Sequence, residues 1–155
     1  MGIDRGLIEE ARDIKETIRK IERTEEEICD IVRTHLKEFP LFDESHSVLA
    51  HKISDDKFWI GFRSANHRIP DGTTHFDINI EKSSCYLLYI EVVESERGKG
   101  HGKKLYHIIE DFAKALGCQN VQLTPSGWTS SGRTRKEYML SLGYRDKGDT
   151  VEKIL

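Results

Sequence analysis

The stretch from Cys85 to Cys118, CYLLYIEVVESERGKGHGKKLYHIIEDFAKALGC, constrains this chain more than any other. Cys85 to Val93 is almost wholly apolar, aromatic or β-branched, which predicts a buried strand. Leu105, Ile108, Ile109, Phe112 and Leu116 recur at helical spacing, and Gly117 supplies a C-terminal stop. Between strand and helix stand Arg97, Gly98, Lys99, Gly100, His101 and Gly102. The first backbone N–H groups of a helix lack intrahelical partners and carry partial positive charge. Glycines at 98, 100 and 102 remove the Cβ atoms that would hold a ligand off those amides, and Arg97, Lys99, Lys103 and Lys104 add charge with no acid among them. A pyrophosphate fits this description.

Three phosphate loops compete for the stretch. A Walker loop requires a glycine five residues before its Gly-Lys pair, but Gly102-Lys103 has Arg97 at that place and Lys104 where Ser or Thr should follow. The dinucleotide fingerprint fails as well, because Gly98-x-Gly100 leads to Lys103 and no repeated strand-helix units surround it. The pattern R-x-x-G-x-G is met by Arg97, Gly100 and Gly102, and it closely resembles the acyl-CoA motif of the GNAT superfamily of N-acyltransferases. The resemblance takes in a second strand, Asn120 to Thr124, and the Leu142-Gly143-Tyr144 turn, and it covers the chain well from about residue 73 to the end. It implies an α+β fold, GNAT-like, with a central, mostly antiparallel twisted sheet that holds a splayed parallel pair and is flanked by helices. It implies acetyl-CoA as cosubstrate and no metal. The implied cofactor-binding residues are Val92 and Val93 at the strand end, then Arg97, Gly98, Lys99, Gly100, His101, Gly102 and Lys103.

Composition sets the outer limits. At 155 residues the chain reads as one domain, 1–155, with a helical N-terminal segment at 1–40 and a cofactor-binding core at 73–155. Cys29, Cys85 and Cys118 are odd in number, far apart and set among apolar residues, which suits a reduced protein. Neither they nor the seven histidines show metal-ligand spacing. No apolar run reaches membrane-spanning length and no signal-peptide core opens the chain, so a cytoplasmic protein without a membrane partner is expected. Residues 1–45 hold eight Lys or Arg against 13 Asp or Glu, and the remainder holds 16 against 14. That balance argues against nucleic acid as a partner; the basic clusters at 97–104 and 133–136 look like a phosphorylated cofactor's footprint.

Residues 4–22 and 25–38 predict two N-terminal helices, joined near Arg23-Thr24, where Thr24 and Glu27 form a capping box. Leu7, Ala11, Ile14, Ile18, Ile21, Ile28 and Val32 make an apolar stripe that either packs on the sheet or, in a protruding pair, forms a homodimer or grips a partner. Strands are predicted at 47–53, 57–63, 74–81 and 85–93 as an antiparallel meander, with a closing hairpin at 144–155 and a last helix from about Arg133 to Leu142. The polar loop at 64–72 either borders the amine site or is an ordinary hairpin loop, and in a second exposed loop, 124–132, Trp128 either lines an acceptor pocket or covers the sheet.

Transfer of an acyl group from a thioester to an amine needs a polarised carbonyl, a neutral amine and a proton for the leaving thiolate. Backbone N–H groups near Val92 and Val93 are implied for the first. Glu91 is the best carboxylate for the second, with exposure to solvent or pairing to a lysine as its alternative. For the third the family commonly places a tyrosine four residues before the glycine of the closing turn; Met139 stands there, with Tyr138 adjacent, and Gly132 stands where an asparagine often precedes it. Two functions follow. One is an N-acetyltransferase acting on a primary amine by direct attack, with Glu91 or water as proton acceptor and Tyr138 or solvent as donor; the other is an acyl-CoA-binding sensor or interaction module without turnover. The acceptor is a small molecule or a protein amine.

Overall fold

The computed structural model describes residues 23–43, 45–64, 74–129 and 131–155. The helix read at 4–22 and nearly all of the loop read at 64–72 lie outside the described residues. Helix α1, Glu25–Leu36, opens on the expected capping box: Thr24 Oγ1 accepts from the Glu27 N–H at 3.1 Å and donates to Glu27 Oε1, also at 3.1 Å. Ile28, Val32 and Leu36, four residues apart, are its buried stripe.

Strands β1 (His46–Ser54), β2 (Lys57–Ser64), β3 (His75–Glu81) and β4 (Ser84–Glu91) form the antiparallel meander. Helix α2, His101–Ala115, crosses to β5, Asn120–Leu123, which lies parallel to β4. After α3, Arg135–Ser141, the hairpin of β6 (Arg145–Asp146) and β7 (Val151–Ile154) completes a sheet ordered β1-β2-β3-β4-β5-β7-β6. The mixed α+β architecture with one parallel pair is the one the sequence predicts. Among the described residues no helix is long and apolar enough to cross a membrane.

One face of the sheet carries the core. Phe76 stacks on Phe62 and Phe112, with ring centroids 5.3 and 5.8 Å apart, and all three are fully buried. Burial of each such side chain stabilises the fold by about 1.5–3 kcal/mol. On β3, Phe76, Ile78 and Ile80 point inward and His75, Asp77 and Asn79 outward, as their alternation requires. On the outer face the Trp59 ring lies across Gly61 so closely that a Cβ there would sit 2.5 Å from it. Glycine at 61 is the condition for that packing.

Strand β4 departs from the expectation of a uniformly buried strand from 85 to 93. Ile78 pairs with Leu87 and Asp77 with Tyr89, so Leu88 is an extra residue, a β-bulge. Side chains alternate with a period of two, so one inserted residue exchanges the faces. Cys85 and Leu87 point into the core before the bulge; after it Ile90 takes the inner side, while Tyr89 and Glu91 turn outward, and Leu88 itself is 56% exposed. The strand ends at Glu91 because the Val93 N–H donates to Thr74 Oγ1 at 3.0 Å and a 3-10 turn, Glu94–Glu96, follows. The last helix is likewise shorter than read, starting at Arg135 behind its N-cap Thr134.

Candidate active site

Pairing between β4 and β5 ends at Leu87 and Leu123, and β4 runs on from Leu88 to Glu91 without a parallel neighbour. This parting of the strands opens a cleft of about 730 Å³ that reaches from the β4 backbone to the start of α2 and across to α3. Of the residues read from the sequence, Glu91, Val92, Arg97, Gly98, Gly100, His101, Gly102, Lys103 and Tyr138 line it; Val93 and Lys99 do not. The Val93 amide is already engaged by Thr74, and the Lys99 ammonium lies 3.2 Å from Glu96 Oε2.

At the start of α2, Gly100 is the N-cap with φ +83°, a left-handed conformation that side chains other than glycine rarely adopt. No side chain caps this helix and its first turn holds no acid. A Cβ added at Gly98 or Gly100 would meet nothing within 4 Å, and one at Gly102 would meet only Val92 Cγ2 at 3.9 Å. The first-turn amides therefore look onto open cleft, and the residues present fit a diphosphate on them.

The charges arrange themselves differently from the sequence count. Arg97, the motif arginine, donates through Nε to the Val92 carbonyl and through Nη2 to Glu91 Oε1, both at 2.9 Å, so it ties the loop to the end of β4. Glu96 faces both Lys99 and His101, at 3.2 and 3.3 Å, and its carboxyl lies below the usual range because the Lys99 hydrogen bond favours the ionised form. Lys103, Arg133 and Arg135 line the same cleft with no carboxylate partner among the described residues. The fold thus brings the two basic clusters of the sequence to one cavity.

Glu91 is held on both oxygens. Arg97 takes Oε1, and the Tyr89 hydroxyl donates to Oε2 at 2.9 Å. His75, opposite Glu91 in the β3–β4 register, stacks on Tyr89 with centroids 5.0 Å apart and brings Nε2 to 3.9 Å from the same Oε2. The basic partner of Glu91 is thus Arg97 and not the lysine that the sequence reading offered as an alternative.

On the far side Met139 is fully buried, which leaves the position of the expected tyrosine to the core. Tyr138, one residue earlier, is half-buried at the cleft wall with Arg133 over its ring at 5.7 Å; burial raises its phenol and the two arginines oppose that shift. Gly132 sits in a turn at φ +83°. Trp128 is 70% exposed and lines the cleft. One residue was missed by sequence reading. Tyr106, on the second turn of α2, is buried with its hydroxyl 3.1 Å from Arg135 Nη1, and its ring centroid is 6.2 Å from that of Tyr138. The signal available was an aromatic residue with a polar tip one place off the apolar stripe of α2.

A family model described as the acetyltransferase (GNAT) family matches residues 10–132. The chain belongs to the GNAT acetyltransferase family. No curated protein matches it. Among solved structures, this GNAT chain is similar to an acetyltransferase from Bacillus cereus at 20% identity, covering 81% of this chain and 86% of the other, with a TM-score of 0.47. It is similar to an acetyltransferase from Thermus thermophilus at 13% identity, with coverage of 83% and 87% and a TM-score of 0.45. A third is the paiA N-acetyltransferase from Thermoplasma acidophilum, in complex with coenzyme A, at 17% identity, coverage of 64% and 62% and a TM-score of 0.46.

Proposed function

We propose that this GNAT chain is an acetyl-CoA-dependent N-acetyltransferase that transfers the acetyl group to a primary amine by direct attack with both substrates bound. One observation carries the reading: the parted strands and the uncapped, acid-free start of α2 open into one continuous cleft. The amides of Gly98 to Lys103 are assigned to the diphosphate, where helix N-termini favour anions. The strand edge from Leu88 to Val92 is assigned to the thiol arm. Since the Val93 amide is taken by Thr74, polarisation of the thioester carbonyl falls to the Val92 N–H.

Glu91 serves as proton acceptor for the amine through Oε2, which accepts from the Tyr89 hydroxyl and has His75 Nε2 at 3.9 Å, while the Arg97 guanidinium holds the other oxygen. Arg97 fixes the carboxylate and the loop together. Tyr138 lines the same cleft and offers a hydroxyl for the thiol side. Most of the acceleration in such a transfer comes from holding thioester and amine in line, which the rigid sheet edge is suited to do.

The test is release of CoA thiol from acetyl-CoA across a panel of amines, together with calorimetric titration of CoA. Turnover with at least one amine supports the proposal. Tight CoA binding with no thiol release from any amine favours a binding module in its place, and no binding at all removes both.

A further inference from the structure

A thiolate leaving into a cleft walled by side chains needs a proton donor at the place where β4 and β5 part. Four groups converge there. Arg135 donates through Nε to the Ser126 carbonyl at 3.2 Å, just past the end of β5, and its backbone N–H donates to the Gly127 carbonyl at 3.0 Å. Its Nη1 donates to the Tyr106 hydroxyl at 3.1 Å, and the Tyr138 ring lies beside that of Tyr106. Leu123, Ser126, Tyr106 and Arg135 all line the cleft.

The two tyrosines are held differently. Among the described residues no hydrogen bond fixes the Tyr138 hydroxyl; its arginine neighbour lies over the ring face. Tyr106 is fixed at its oxygen by a guanidinium, which has no acceptor capacity. The Tyr106 hydrogen therefore points away from Arg135, and the open space its residue borders is the cleft. Burial favours the neutral phenol and Arg135 favours the phenolate, so the group holds a proton at rest and is stabilised once it has given it up.

We propose that Tyr106, positioned by Arg135, is the proton donor to the departing thiol, and that it fills the role left by the buried Met139. The inference rests on the acyltransferase reading above. As the bond from the amine nitrogen to the acyl carbon forms, the carbon–sulfur bond breaks with its electron pair on sulfur. Tyr106 Oη gives its proton to that sulfur; the amine proton goes to Glu91, and water later returns a proton to the phenolate and removes one from Glu91. The arginine is a positioning residue, and Tyr138 is secondary.

Two measurements decide the matter. The first is thiol release from acetyl-CoA with hydroxylamine as nucleophile, for wild type, Tyr106→Phe, Tyr138→Phe, Arg135→Met and Arg135→Lys. Loss of a positioned acid should lower kcat by roughly 10²-fold in Tyr106→Phe, with the KM for acetyl-CoA changed by less than about threefold. Tyr138→Phe should lose less than about fivefold, and Arg135→Lys should recover part of the loss seen in Arg135→Met. The second is equilibrium binding of CoA against desulfo-CoA, which needs no turnover. Wild type should prefer CoA, and Tyr106→Phe should bind the two equally. A Tyr106→Phe enzyme with wild-type kcat, or one that keeps the thiol preference, overturns the assignment of Tyr106 alone. A wild type that binds neither ligand, or binds CoA and never releases thiol, overturns the acyltransferase reading on which it rests.

Discussion

Gly102 offers a substitution whose effects on folding and on ligand binding should have opposite signs. It lies within the first turn of α2, and a Cβ there would meet only Val92 Cγ2 at 3.9 Å, an ordinary contact. Glycine in a helix is worse than leucine by roughly 0.5–1 kcal/mol, so Gly102→Leu should raise stability by about that much. For a domain of this size that is a rise of about 1–4 °C in Tm. Helical side chains lean toward the N-terminus and cover the turn before their own Cα. A leucine at 102 therefore lies over the amides assigned to the diphosphate and strands their hydrogen bonds. Leaving such donors unsatisfied costs roughly 1–3 kcal/mol, which is about 5- to 150-fold in the Kd for CoA. Thermal melting and calorimetry on one preparation measure both. Gly100→Val is the weaker experiment, because the φ of +83° at Gly100 makes any side chain there strained whatever the ligand does. A Gly102→Leu protein that is at least as stable as wild type and binds CoA with unchanged affinity would refute the placement of the diphosphate.

Three further outcomes are expected. Glu91→Gln keeps the size of the side chain and lowers its basicity, so kcat for amine acetylation should fall by roughly 10²-fold while CoA affinity changes little; steady-state kinetics beside calorimetry checks this. Lys153→Met removes the ammonium 2.7 Å from buried Glu110, which also accepts from the Tyr144 hydroxyl at 3.1 Å and has His107 Nδ1 at 3.6 Å; loss of its closest cation should cost roughly 3 kcal/mol by denaturant unfolding, with part restored in the double variant Glu110→Gln/Lys153→Met. Burial and the Glu110 charge push the Tyr144 phenol far above its ordinary value, so its contribution to stability is complete below the unfolded value near pH 10 and is lost as pH rises from there toward the folded one. Melting temperatures should fall above about pH 10, and less steeply in Tyr144→Phe.

What the sequence made legible was local. The glycine loop, the helix stripe from Leu105 to Leu116 and the alternation of Phe76, Ile78 and Ile80 each depend on spacing within one element, and each has its place in the structure. What it hid depends on pairing across elements. The bulge at Leu88 is one residue in an apolar run with nothing in its composition to mark it, yet it turns Tyr89 and Glu91 to the outer face. Charge counting placed Arg97 and Lys99 on the ligand, whereas Glu91 and Glu96 engage them and leave Lys103, Arg133 and Arg135 as the cleft's unpaired cations among the described residues. The contact between Tyr106 and Arg135 joins residues 29 positions apart, beyond the reach of any spacing rule.

The amides after Glu96 are assigned to the diphosphate of CoA and the edge of β4 to its thiol arm. Amide NMR during titration with CoA tests this assignment directly, since Gly98, Gly100 and Gly102 each report their own N–H. The account predicts saturable shifts at these glycines and along Leu88 to Val92, all at one CoA concentration scale. Shifts confined to other parts of the chain, or none at saturating CoA, would contradict it.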